Sequence, residues 1–108
     1  MSKYRARRTT IDGIEFMSKK EAMRYEVLKA MQQSGEISDL QLQVKFDLLP
    51  TIKRESETLR KKSYIADFVY MQEGKRIVED VKGFKTPIYS LKKHLLIYNN
   101  PGINFIET

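Results

Sequence analysis

The chain has no cysteine and no tryptophan, and its single histidine is His94. Without cysteine there is neither a disulfide framework nor a thiolate metal site, and one histidine leaves too few ligands for zinc. Long hydrophobic runs are also missing: nothing approaches the roughly 20 apolar residues that a membrane helix needs. The first residues, MSKYRARR, lack the apolar h-region of a signal peptide. These absences set the expectation of a soluble protein in a cytoplasmic setting. Acid is the scarcer charge, with 14 Asp+Glu against 20 Lys+Arg and a net charge of +6, so a polyanion is the first partner to consider.

What is present suits one folded domain spanning 1–108, with 41% hydrophobic and 31% charged residues in 108. There is no internal repeat and no low-complexity tract. The basic residues gather in a basic arm (1–10), in KRESETLRKK (53–62) and around Lys92 and Lys93, whereas the acids sit mostly inside periodic segments. An acidic centre with a basic rim is the expected result.

After the basic arm, IDGIEF (11–16) reads as a short strand or turn. SKKE, with Ser18 and Glu21 in the capping-box positions, opens a helix that Gly35 should stop. LQLQVKF (40–46) alternates apolar and polar strictly, as a half-buried strand does, and Pro50 ends it. Residues 51–62 are polar, charged and aperiodic and read as a mobile basic loop. SYIADFVYM (63–71) and RIVEDVK (76–82) form a hairpin about the turn QEGK. Thr86 and Pro87 start a second helix through about Tyr98, NNPG breaks it, and residues 103–107 make a last strand. The expected class is α/β, with a mixed central sheet flanked by helices and the core order helix, three strands, helix, strand.

The hairpin decides which acids meet. With Glu73-Gly74 as a two-residue loop, Gln72 pairs with Lys75 and Asp67 falls opposite Asp80, with Lys82 on their face and Glu79 on the other beside Ile77 and Val81. Like charges directly opposite are destabilising, so something should sit between them. Two carboxylates at that spacing suit a hard divalent cation such as Mg²⁺, completed by water and phosphate oxygens. Lys82 would then orient or deprotonate an attacking water, or offset charge developing on the phosphate. The plainer alternative is a solvated sheet face on which Lys82 makes an ordinary cross-strand ion pair.

Glu21 is open to two readings: a third carboxylate on the helical stripe it shares with Tyr25 and Leu28, or a capping residue that bonds back to the Ser18 amide. Lys19 and Lys20 stand in a first turn whose dipole disfavours cations, a placement that makes sense beside a phosphate backbone.

Asp67, Asp80-x-Lys82 on the next strand and Glu21 on a preceding helix together resemble the signature of the PD-(D/E)XK nuclease superfamily. More narrowly, the runs containing SKKE, YIADF and VEDVKG resemble a family of small phage-encoded proteins of that superfamily. These are similar in build to Holliday-junction resolvases and to transposase endonuclease subunits, and the resemblance covers nearly the whole chain. It implies a restriction-endonuclease-like core, metal ligation by Asp67, Asp80 and Glu21, and Lys82 as the catalytic lysine. No proline precedes Asp67, where Ala66 stands, a frequent departure in the superfamily. Gln43 on the neighbouring strand and Lys20 are accessory candidates, with a solvent-facing strand position as the alternative for Gln43.

The expectation is therefore a Mg²⁺-dependent endodeoxyribonuclease (Mn²⁺ substituting), acting on branched or recombination DNA as a phage- or prophage-encoded homodimer in a bacterial cell. A two-fold pair is the simplest way to cut two strands with one site per chain. The candidate DNA contacts are Arg5, Arg7, Arg8, Lys19, Lys53, Arg54, Arg60, Lys61, Lys62 and Lys85. The rival expectation is a non-catalytic nucleic-acid-binding module of phage replication or packaging. His94 reads as a helix-surface or packing residue, and Tyr25, Tyr64, Tyr70, Tyr89 and Tyr98 read as core packing before base stacking.

Overall fold

The computed structural model describes residues 8–81 and 85–108. Along the chain come β1 (Thr9–Ile11), β2 (Ile14–Phe16), α1 (Lys19–Gln33), β3 (Ser38–Leu49), β4 (Ile52–Lys53), β5 (Thr58–Leu59), β6 (Lys62–Gln72), β7 (Lys75–Asp80), α2 (Pro87–Asn99) and β8 (Asn104–Glu107). Four strands form one mixed sheet in the order β3-β6-β7-β8. Its pairs are antiparallel except β7–β8, and that parallel pair needs a crossover, which α2 supplies.

The fold is mixed α/β, but the order of the whole chain departs from helix, three strands, helix, strand. Two further two-stranded sheets are present, β1–β2 ahead of α1 and β4–β5 between β3 and β6. The first forms because Asp12 and Gly13 take φ of 55° and 76°, the doubly positive pair of a tight hairpin turn. The second occupies residues 51–62, expected as an aperiodic loop. There Ile52 pairs with Leu59 and Lys53 with Thr58, and the Arg54 N–H donates to the Glu57 carbonyl at 2.8 Å. Two-residue strands are too short to display an alternation, so no periodic signal marks them.

Both helices begin on a side-chain cap. Ser18 Oγ accepts from the Glu21 N–H at 3.1 Å, and Thr86 Oγ1 accepts from the Tyr89 N–H at 3.1 Å. Gly35, at φ 87°, takes the left-handed conformation that ends α1. α1 buries Ala22, Tyr25 and Leu28 against Phe68 and Tyr70, while α2 buries Leu96 against Tyr64, Ala66, Val69 and Val78. The neighbours Val69 and Tyr70 join different clusters, so the helices cover opposite faces of the sheet. Leu28, Leu96 and Phe68 are fully buried, each contributing about 1.5–3 kcal/mol of hydrophobic stabilisation. Among the described residues, no helix is long and apolar enough to cross a membrane.

One irregularity positions the site. Leu42 pairs with Phe68 and Val44 with Ala66, which frames Gln43 opposite Asp67. Leu42 and Phe68 belong to the α1 cluster, whereas Val44 and Ala66 belong to the α2 cluster. Strict alternation would keep both pairs on one face. Gln43 has a left-handed φ of 53°, and at this point both strands change face together. Asp67 therefore stands where the two faces exchange.

Candidate functional site

The β6–β7 hairpin turns through Glu73 (φ 50°) and Gly74 (φ 75°), and its register runs from Gln72 opposite Lys75 to Phe68 opposite Glu79. Continued by one residue, it sets Asp67 against Asp80. The Asp67 carboxyl is in hydrogen-bonding contact with those of Asp80 and Glu21, and its Oδ2 accepts from the Val81 N–H at 2.7 Å. Asp80 is 3% exposed and accepts a hydrogen bond from the buried Tyr64 hydroxyl. Glu21 is 5% exposed, and its Oε1 accepts from the Met17 N–H at 3.2 Å. The two readings of Glu21 thus combine: it bonds back to the chain before the helix, at Met17 instead of Ser18, and also reaches Asp67.

Burial is the largest effect on Asp67, followed by contact with Asp80 and Glu21. Together they push its carboxyl up to about 9 against the opposing Val81 N–H. The upward shift favours a proton on Asp67, which lets it share hydrogen bonds with its neighbours. The same proton offsets part of the like-charge repulsion of three crowded carboxyls, a task that a divalent cation would also perform.

Three carboxyl groups, two buried and that of Asp67 half-buried, are the hard oxygen donors that Mg²⁺ or Mn²⁺ would take. Among the described residues, no group of three or more His, Cys, Asp or Glu side chains is already arranged to hold a metal ion.

Glu79 points to the other face, where it is wholly buried. Arg24 donates to it twice, Nε at 2.5 Å and Nη2 at 3.0 Å, joined by Tyr70 Oη at 2.7 Å and Thr108 Oγ1 at 3.0 Å. Arg24 holds the Glu79 carboxyl below its usual range despite burial. This pair ties α1 to β7 one turn after Glu21 and one residue before Asp80, so it fixes the two elements that deliver the site acids. At the edge of the sheet, Glu107 receives hydrogen bonds from Tyr89 and from Lys93 at 3.0 Å.

Lys82, Arg5 and Arg7 lie outside the described residues. Arg8 pairs with Glu15 at 2.9 Å, Arg54 with Glu57 at 3.2 Å and Lys85 with Glu107 at 3.5 Å. Lys19 and Lys20 are exposed in the first turn of α1, and Lys53, Arg60, Lys61 and Lys62 are exposed on or beside the β4–β5 hairpin. His94 is exposed on α2, and Tyr25, Tyr64 and Tyr70 are core residues, whereas Tyr98 is 76% exposed.

Of the supporting residues, Arg24 is absent from the sequence reading, and Tyr64 and Tyr70 figure there as core packing without their bonds to Asp80 and Glu79. A charged residue on the buried stripe side of α1 was the available signal for Arg24. Alternation assigns Tyr64 to the face opposite Asp67, so only the reversal at Gln43 brings it to Asp80.

No curated protein matches the chain. A model of the family described as "Protein of unknown function (DUF1064)" matches residues 1–106, and the chain belongs to that family.

Proposed function

We propose that the protein is a Mg²⁺-dependent endodeoxyribonuclease of the PD-(D/E)XK type that hydrolyses phosphodiester bonds in branched or recombination DNA as a homodimer. The observation that carries this reading is the convergence of Glu21, Asp67 and Asp80 from a helix and two strands, which crowds three carboxyls together and raises that of Asp67. Groups so perturbed are expected where function requires them. The order α1-β3-β6-β7-α2-β8, which remains when the two small sheets are set aside, supports a restriction-endonuclease-like core.

In this mechanism Asp67, Asp80 and Glu21 would hold the cation, whose charge would polarise the phosphate oxygens and stabilise charge developing in the transition state. Tyr64 fixes the orientation of Asp80, and the Val81 N–H fixes that of Asp67. Lys82 orients the attacking water or offsets charge on the phosphate.

The test is incubation with branched and linear duplex DNA plus Mg²⁺ or Mn²⁺. Cleavage is expected with either metal, and Lys82→Ala should slow it by roughly 100-fold or more. No cleavage with either metal, or a Lys82→Ala variant as active as the parent, overturns the proposal. The second reading, a non-catalytic nucleic-acid-binding module, draws on the exposed basic residues around β4–β5. Salt-sensitive DNA binding without cleavage, unchanged by Asp67→Asn, would favour it.

A further inference from the structure

The β4–β5 hairpin stands apart from the main sheet. Among the described residues its two strands pair only with each other, and every residue from 49 to 62 is exposed. An isolated two-stranded ribbon is marginal in water. Here it is held by the cross-strand pairs, by the Arg54–Glu57 turn and by the Lys61 N–H donating to Thr51 Oγ1 at 3.2 Å.

Residues 51–62 carry five Lys+Arg and two Glu, a net +3 that is half the +6 of the whole chain. Arg54 is engaged by Glu57 at the tip. Among the described residues, Lys53, Arg60 and Lys61 have no acidic partner.

Placement relates this ribbon to the carboxylates. β7 ends at Asp80, but β6 continues past Asp67 to Lys62 with β3, among the described residues, alone beside it, and the ribbon extends from that overhang. Five residues of strand span about 17 Å. At about 3.4 Å per nucleotide along one strand, this is about five base pairs, or half a helical turn.

We infer that the β4–β5 ribbon lies along double-helical DNA and contacts its phosphates roughly half a turn from the bond held at the carboxylates. The inference rests on the proposed nuclease only in naming that bond. A two-stranded ribbon has the width that the major groove, about 12 Å across, admits. Single strands are instead gripped by aromatic stacking, and residues 50–62 contain no aromatic side chain. The cross-strand pair Ile52 and Leu59, 51% and 45% exposed, offers the only apolar contact there, sized for sugar edges or thymine methyls.

The experiment measures binding without divalent metal, so that no cutting occurs, by fluorescence anisotropy. The probes are a duplex of about 20 base pairs and a single strand of equal length, from about 50 to 200 mM salt. Two variants are compared with the parent. One is Arg60→Ala/Lys61→Ala, which alters only exposed side chains. In the other, residues 50–61 are replaced by Asn-Gly, a loop that suits the existing Leu49–Lys62 pair.

The parent should prefer duplex, and the double variant should lose about 1.8 from the salt slope. Its affinity would then fall about tenfold less than the parent's across that range. Equal duplex binding and slope in parent and both variants would overturn the inference. So would single-strand binding as tight as duplex binding, or ribbon-dependent capture of polyglutamate but not DNA. A protein that binds duplex through the ribbon but never cuts it contradicts the nuclease alone. One that cuts with ribbon-independent binding contradicts the ribbon alone.

Discussion

Glu79 and Asp80 are adjacent acids on one strand, both buried, and their surroundings differ in kind. Glu79 meets a guanidinium and two hydroxyls, and its carboxyl is held below the usual range. On the opposite face Asp80 meets a tyrosine hydroxyl and the carboxyl of Asp67, which also contacts Glu21 and is pushed up to about 9. The first environment satisfies a charge and joins two elements. The second crowds charges of one sign together, which costs stability unless a proton or a cation intervenes. Structural acids are expected to look like Glu79, and functional ones like the Asp67 group.

The largest separation between the two should appear in cleavage. Asp80→Asn is expected to reduce the rate by at least about 100-fold, while Glu79→Gln retains cleavage within roughly tenfold where it stays folded. Equal losses in the two variants would erase the distinction.

Next in size is stability on the Glu79 side. Arg24→Ala leaves a wholly buried carboxylate without its guanidinium and should cost about 3–5 kcal/mol in denaturant titration.

Asp67→Asn should move the other way, stabilising by about 1–2 kcal/mol while activity is lost. The sign follows from proton counts. Folded Asp67 keeps its proton up to about 9 whereas the unfolded chain releases it in the ordinary carboxylate range, so parent stability declines as pH rises between those limits. The gap between Asp67→Asn and the parent should therefore widen from pH 4 toward about 9, as Tm measurements would show.

The smallest effect belongs to Glu107. Tyr89, Lys93 and Lys85 hold its carboxyl down at about 2. Its contribution is present above the ordinary carboxylate range and fades as pH falls toward about 2. Because it is partly exposed, Glu107→Gln should cost only about 0.5–1 kcal/mol near neutral pH.

Much of this was legible in the residues because local rules were strong. The alternation of 40–46, the Glu73-Gly74 loop and the caps at Ser18 and Thr86 specify strand, register and helix starts through interactions a few residues apart. What escaped depends on distance or on broken rules. The Arg24–Glu79 pair spans 55 positions, and no local pattern announces it. The left-handed Gln43 reverses the face assignment on two strands, which concealed Tyr64 as the partner of Asp80. The β4–β5 ribbon rests on two-residue strands set among charges, a stretch that resembles a loop by composition.

The most direct measurement of the central claim is a crystal structure of the protein soaked in Mn²⁺, with anomalous differences collected for the parent and for Asp67→Asn. An anomalous peak between Asp67 and Asp80, within reach of Glu21 in the parent and lost in the variant, is the predicted result. Mn²⁺ bound only elsewhere, or a peak that survives Asp67→Asn unchanged, would contradict it.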